Sequence, residues 1–155
     1  MNDDLAPLAW LLGTWEGTAI GRPGEGAQVR RYEAILRGEF LMGTNKTTWS
    51  STPTHLDGEI HEDVSILSYD RGAKRFVMHV FYVERFVAEY FCGPQTDPNV
   101  WVFTADRVQN GPAGMRSREI LTRRGDELGS RFELAMAGND FTPYTQETLR
   151  RTPAR

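Results

Sequence analysis

Three histidines, His55, His61 and His79, are the first side chains to weigh for chemistry, and no two of them stand at a His-x-His or His-x-x-x-His spacing. A metal site would therefore have to be assembled across strands. In the run Ile60 to Tyr69, residues alternate, so Ile60, Glu62, Val64 and Ile66 share one face while His61, Asp63, Ser65 and Leu67 share the other. At most His61 and Asp63 point the same way, which is short of a metal set and fits the end of a strand reaching solvent. His79 lies among Phe76, Val77, Met78, Val80 and Phe81, where both strand faces read as buried. A histidine there needs a hydrogen-bond partner or a cavity. Pairing Lys74–Val83 with Arg85–Cys92 around a turn near Glu84 brings His79 beside Glu89. The pair suits either a hydrogen-bonded structural histidine or a cavity-lining acid/base or ligand contact.

Charged residues within apolar strands are the second candidates. Lys46, Arg118, Glu119 and Glu133 alternate with apolar neighbours. Such groups either face inward, as in barrels that hold polar ligands, or lie on a solvated outer face. The set Arg116, Arg118, Arg123 and Arg124 is balanced by nearby acids and reads as an outer face. The lone Cys92 sits in an apolar run, as a small buried hydrophobe does, and no intrachain disulfide can form. A serine nucleophile elbow, a phosphate loop and a dinucleotide fingerprint are all absent. The Gly21-Arg22-Pro23-Gly24-Glu25-Gly26 stretch neither follows a βαβ pattern nor opens a helix.

The chain of 155 residues is long enough for one domain, expected over 1–155, with one core. Eighteen Lys plus Arg against 21 Asp plus Glu give a net charge of −3, and no electrostatic reason to expect nucleic acid. Met1-Asn2-Asp3-Asp4 is acidic where a signal peptide would be basic. No run approaches the ~20 apolar residues of a membrane helix. These features, with a single cysteine, lead to the expectation of a soluble cytoplasmic protein with no membrane partner.

The elements that must position these groups are nearly all strands. Leu5, Leu8, Ala9 and Leu12 recur at helical spacing behind Asp3 or Asp4 as a cap, and Gly13 stops the pattern. This predicts a capping helix over Leu5–Leu12. Ten strand-like segments follow: 15–20, 28–36, 39–50, 60–69, 74–83, 85–92, 100–105, 115–123, 127–136 and 141–150, with the tail 152–155 frayed. Short turns rich in Gly, Asp, Asn and Pro separate most of them, so neighbours pair antiparallel. So many strands must close into a barrel or stack as a sandwich, and one N-terminal helix favours a barrel plugged at one end. A closed barrel of this size leaves room for one small ligand.

The opening Leu8-Ala9-Trp10-Leu11-Leu12-Gly13-Thr14-Trp15-Glu16-Gly17 resembles that of the nitrobindin-type haem-binding barrels, grouped with lipocalins and fatty-acid-binding proteins as calycins. Tyr32-Glu33, Phe40, Gly43, Thr48-Trp49 and His61-Glu62 continue the likeness. Gly13-Thr14-Trp15, Gly38-Glu39-Phe40-Leu41 and Tyr69-Asp70 are similar to a bacterial lipocalin-like family of unassigned function. The nitrobindin resemblance implies a haem whose iron is held by a histidine near the C-terminus, after a Pro. That segment reads Phe141-Thr142-Pro143-Tyr144-Thr145-Gln146-Glu147-Thr148-Leu149-Arg150-Arg151, which has no histidine; Tyr144 is the remaining candidate ligand.

The expectation is an all-β, antiparallel, calycin-like barrel of about ten strands that binds a small, hydrophobic or amphipathic molecule without catalysis and without a cofactor. Lys46, Trp49, His79, Phe81, Glu89, Tyr90 and Trp101 are the expected ligand contacts, the aromatics giving area and His79, with Lys46 or Glu89, orienting a polar end. Besides a haem-binding, nitrobindin-like protein that lacks the usual C-terminal histidine, two alternatives remain. One is an enzyme of cyclase, isomerase or decarboxylase type using His79 and a carboxylate. The other is an interaction module with a filled barrel, which would display an apolar outer patch and associate as a homodimer.

Overall fold

Sequential hairpins wind the chain into a closed ring. The computed structural model describes residues 1–153. Its strands are β1 (Gly13–Gly21), β2 (Gly24–Ile35), β3 (Phe40–Trp49), β4 (Glu59–Asp70), β5 (Arg75–Tyr82), β6 (Val87–Cys92), β7 (Val100–Ala105), β8 (Val108–Gln109), β9 (Arg116–Arg124), β10 (Glu127–Ala135) and β11 (Thr142–Arg151). All pairings are antiparallel, and β1 against β11 and β5 against β6 complete a ten-strand barrel, with β8 outside the ring. The expected all-β barrel is thus the observed fold. The frayed tail expected from Thr152 ends on residues 154 and 155, outside the described residues, while Thr152 itself donates its N–H to the Thr14 carbonyl at 2.9 Å.

The two-residue β8 is the element that the residue pattern does not announce. β6 and β7 share a single residue pair, Phe91 with Thr104, and β8 takes up the rest of the β6 edge through Val87–Gln109 and Ala88–Val108. The β6 backbone is thereby satisfied where β7 leaves it.

Alternation fixes what faces inward. Gln28, Arg30 and Tyr32 of β2 are buried on one face while Val29 and Arg31 are exposed. β11 likewise buries Thr145, Glu147 and Leu149. Leu41, Leu67, Phe103, Leu121, Leu128 and Leu149 form the fully buried apolar layer with the N-terminal plug.

The capping helix expected over Leu5–Leu12 is present as a 3-10 helix, Asp3–Leu11, which plugs the barrel. Its cap is Asn2, whose side chain accepts from the Leu5 N–H at 3.0 Å, not Asp3 or Asp4. With three residues per turn, Leu5, Leu8 and Leu11 eclipse one another and all three reach zero exposure. Leu12 falls off that edge and is only partly buried. Trp15 donates from Nε1 to the Leu11 carbonyl at 2.7 Å, and Trp10 packs edge-on against Trp15 and tilted against Trp101. Arg151 closes the arrangement by donating to the carbonyls of Trp10 and Leu12 while its guanidinium lies 4.2 Å from the Trp15 ring centroid. The last carbonyls of the helix, which have no partner within it, are satisfied from the far end of the chain. Among the described residues, no helix is long and apolar enough to cross a membrane.

Candidate ligand cavity

Above the plug the barrel retains a cavity of about 290 Å³. That is close to the lower bound of ~300 Å³ for small-molecule pockets. Its floor toward the plug is made by Tyr32, Met78 and Tyr90, and Trp49, Glu59 and Glu84 belong to the opposite end. Gly43 lines the floor because the Tyr32 ring and Ser65 Oγ occupy the space a Cβ would need.

One wall is ionic. Arg30 of β2 places Nη1 2.7 Å from Glu119 Oε1 of β9 and Nη2 2.6 Å from Glu147 Oε2 of β11, with Ser130 Oγ accepting from Nη2 at 3.1 Å. Ser130 in turn donates to Glu119 at 3.1 Å. Burial acts to lower the Arg30 pKa, yet the two carboxylates hold the guanidinium well above its ordinary range. Burial raises the Glu147 carboxyl, with Arg30 pulling the other way. The same burial lifts the Tyr32 phenol to about 12. A cation between two carboxylates survives inside a protein only with this full set of partners.

A second wall carries amides and a histidine. Gln28 Nε2 donates to Asn45 Oδ1 at 2.6 Å, and Asn45 Nδ2 donates to Asp63 Oδ2 at 2.8 Å. His61 sits beyond Asp63, with Nε2 3.5 Å from Asp63 Oδ2 and Nδ1 2.7 Å from Glu84 Oε1. Burial would depress this imidazole, but hydrogen bonds and charge from Asp63 and Glu84 outweigh it and raise the pKa to about 9. His61 is therefore a cation at neutral pH.

The remaining wall is aromatic. Tyr82 and Tyr90 share a hydroxyl–hydroxyl bond of 2.7 Å, and Ser117 Oγ donates to Tyr90 Oη at 2.7 Å. Burial pushes both phenols far above their usual range. Phe132 bridges Tyr82 and Tyr144 at centroid distances of 6.4 and 6.2 Å. Phe86 and Trp49 extend this surface.

Of the contacts expected from the residue pattern, Trp49 and Tyr90 line the cavity. Trp101 is buried beside Trp10 in the plug layer instead. Lys46, His79, Phe81 and Glu89 correct the expectation: all four face outward. Lys46 and Glu62 are exposed partners 3.7 Å apart, and Phe81 is 50% exposed. His79 does meet Glu89, Nε2 to Oε2 at 2.7 Å, but with both side chains near half exposure. Strict alternation decides it: Met78, Val80 and Tyr82 turn inward, so His79 and Phe81 turn out. The inward histidine is His61, on the face that alternation assigns to it with Asp63. Glu119 faces the cavity, whereas the Arg118–Glu133 pair is a separate, partly buried contact with the Arg118 guanidinium over the Phe141 ring. Arg30 and Glu147 carry no motif, and only the parity of β2 and β11 marks them. Among the described residues, no group of three or more His, Cys, Asp or Glu is disposed to hold a metal ion.

A family model described as the THAP4-like, heme-binding beta-barrel domain matches residues 4–151. No curated protein matches the chain. Among solved structures, the crystal structure of Rv2717c from M. tuberculosis is similar with a TM-score of 0.76 at 18% identity, covering 99% of either chain. That likeness is one of fold.

Proposed function

The chain belongs to the THAP4-like, heme-binding beta-barrel family, and on that premise we propose that its barrel binds a small amphipathic organic molecule, other than haem, and performs no chemistry on it. The observation that carries this reading is a cavity with one aromatic wall and two hydrogen-bonding walls, all inside a closed barrel. Aromatic area would supply affinity and the polar walls orientation.

Three features weigh against haem. The inward residues of β11 are Thr145, Glu147 and Leu149, with Tyr144 also at the cavity, so no imidazole is offered from the segment that holds the family's ligand. His61, the one imidazole at the cavity, has both ring nitrogens engaged and carries a proton at neutral pH, which leaves no lone pair for iron. The ionic wall would also set the Arg30–Glu119–Glu147 cluster against the apolar body of a macrocycle. The residues present do not fit the group. A catalytic role for His79 and Glu89 loses its geometry, since the pair lies on the outer surface.

Titration with the neutral fluorophore N-phenyl-1-naphthylamine tests the proposal. A saturable one-to-one rise in emission is expected, and a cavity-filling Ser65→Trp substitution should abolish it. Haemin added in parallel should keep the spectrum of the free pigment. A stoichiometric haem complex with a shifted Soret band, or no fluorophore uptake, defeats the reading.

A further inference from the structure

Taking the cavity to be a ligand site, as above, we propose that it selects an organic cation: a protonated amine carried on an aromatic body. Positive charge at the cavity comes from Arg30 and His61, while carboxylates come from Glu59, Asp63, Glu84, Glu119 and Glu147. Each cation is already committed. Arg30 is held between Glu119 and Glu147, and His61 between Glu84 and Asp63. Both terminal nitrogens of Arg30 and both ring nitrogens of His61 are taken by these partners, only the buried Arg30 Nε–H being left unpaired, and with five carboxylates to two cations the unspent charge is negative.

Hydrogen-bond direction points the same way, independently of charge. The relay from Gln28 through Asn45 to Asp63 uses an amide N–H at both steps, which fixes both amides. Gln28 is 1% exposed, and its Oε1 is left as a buried acceptor with no donor. At the other end Asp63 accepts from Asn45 and stands near His61, with carboxylate lone pairs to spare. Gln28 stands behind the lining, so the acceptor this wall offers at the cavity itself is Asp63, and a ligand bearing N–H groups completes it. Burial is the main cause that raises the Glu147 pKa, and Glu119 and Asp63 add to a rise that Arg30 and Ser130 oppose.

The aromatic wall suits the same ligand twice over. Phe132 lies tilted against Tyr82 and edge to face with Tyr144, and the three offer apolar area to a ring and negative π faces to an ammonium. Glu59 and Glu84, on the strand end and turn at the far side from the plug, place negative charge where a ligand enters. An apolar-walled opening concentrates that field, which favours cations and disfavours anions.

Displacement of bound N-phenyl-1-naphthylamine by tryptamine, tryptophol and indole-3-propionate compares a cation, a neutral alcohol and an anion on one ring system. Tryptamine should displace the fluorophore at a concentration at least ~10-fold below tryptophol, with indole-3-propionate weakest, as befits one charge-assisted contact. Asp63→Asn, which keeps an acceptor and the side-chain shape, and Glu59→Gln at the exposed strand end should each erode that preference, read as the ratio of tryptamine to tryptophol displacement within the same variant. If the fluorophore binds and the alcohol or acid displaces it as well as the amine does, the cation proposal is overturned and the binding function stands. If neither the fluorophore nor any indole binds by calorimetry, both fall together. An amine preference untouched by either substitution overturns the assignment to these carboxylates.

Discussion

Arg30 and Glu147 meet inside the barrel with Nη2 and Oε2 2.6 Å apart, although β1 runs between the strands that carry them. Both side chains are less than a tenth exposed, and Glu119 completes the cluster from β9, with β10 between it and the strand of Glu147. Removing the cation while leaving two buried carboxylates should be costly. Arg30→Met is expected to lose about 3–5 kcal/mol in urea denaturation. The triple change Arg30→Met, Glu119→Gln, Glu147→Gln should recover most of that loss, since neutral groups need no counter-ion. A triple variant no more stable than the single one would show that the ion pairs themselves, and not the stranded charge, carry the stability.

His61 links the cavity to pH. Its folded pKa of about 9 lies above the ordinary 6.5, so its protonated form binds Asp63 and Glu84 more strongly in the native state. The linked stability is fully present below about pH 6.5 and is lost as pH rises through 9. Two and a half units, discounted for a ring that is 26% exposed, amount to on the order of 1–3 kcal/mol. Denaturation midpoints for the wild type should fall between pH 6 and pH 10. His61→Gln should flatten that interval, and an unchanged slope in the variant would assign the effect to another group.

Gly43 holds the cavity floor open. A Cβ there would meet Ser65 Oγ and the Tyr32 ring, the latter at 2.7 Å, so one of the two must move. Overpacking of this kind costs about 1–3 kcal/mol. Gly43→Ala should lower thermal stability by that order and weaken fluorophore binding, because the displaced phenol has the cavity to move into. Unaltered binding would place Tyr32 away from the ligand.

Arg151 fastens the plug from the opposite terminus. Its guanidinium serves the carbonyls of Trp10 and Leu12 and covers Trp15. Arg151→Ala should cost about 1–3 kcal/mol, from lost hydrogen bonds to a charged donor together with the stacked contact. Arg151→Lys should restore only part, since an ammonium cannot span both carbonyls and lie flat on an indole. Hydrogen exchange at Leu11 and Leu12 would report the loosened end directly.

The barrel was legible because its signals are local and repeated: turn residues every few positions, period-2 alternation, and one apolar helix-like stretch before a Trp-led strand. Parity also placed His61 and Asp63 on one face, which proved to be the inner one. The cavity chemistry was less accessible. Arg30, Glu119 and Glu147 come from three strands far apart in the chain, and their meeting depends on closure, which no single window contains. Strand β5 misleads for a different reason. Val77 is buried on its outer face and Phe81 is a large apolar residue left half exposed, so both faces read as core and His79 between them looks interior.

His79 consequently offers a control. Its bond to Glu89 joins two half-exposed side chains on the outside of adjacent strands, and such pairs contribute about 0–1 kcal/mol. His79→Ala is expected to cost no more than about 1 kcal/mol in stability and to leave fluorophore affinity within ~2-fold of wild type. Tyr90→Phe, which acts on a cavity-lining neighbour, should behave otherwise: it removes the hydroxyl between Ser117 and Tyr82 and leaves their polar atoms unpaired at the cavity floor. A loss of binding in His79→Ala with none in Tyr90→Phe would invert the assignment of inner and outer faces on β5 and β6, and with it the proposed site.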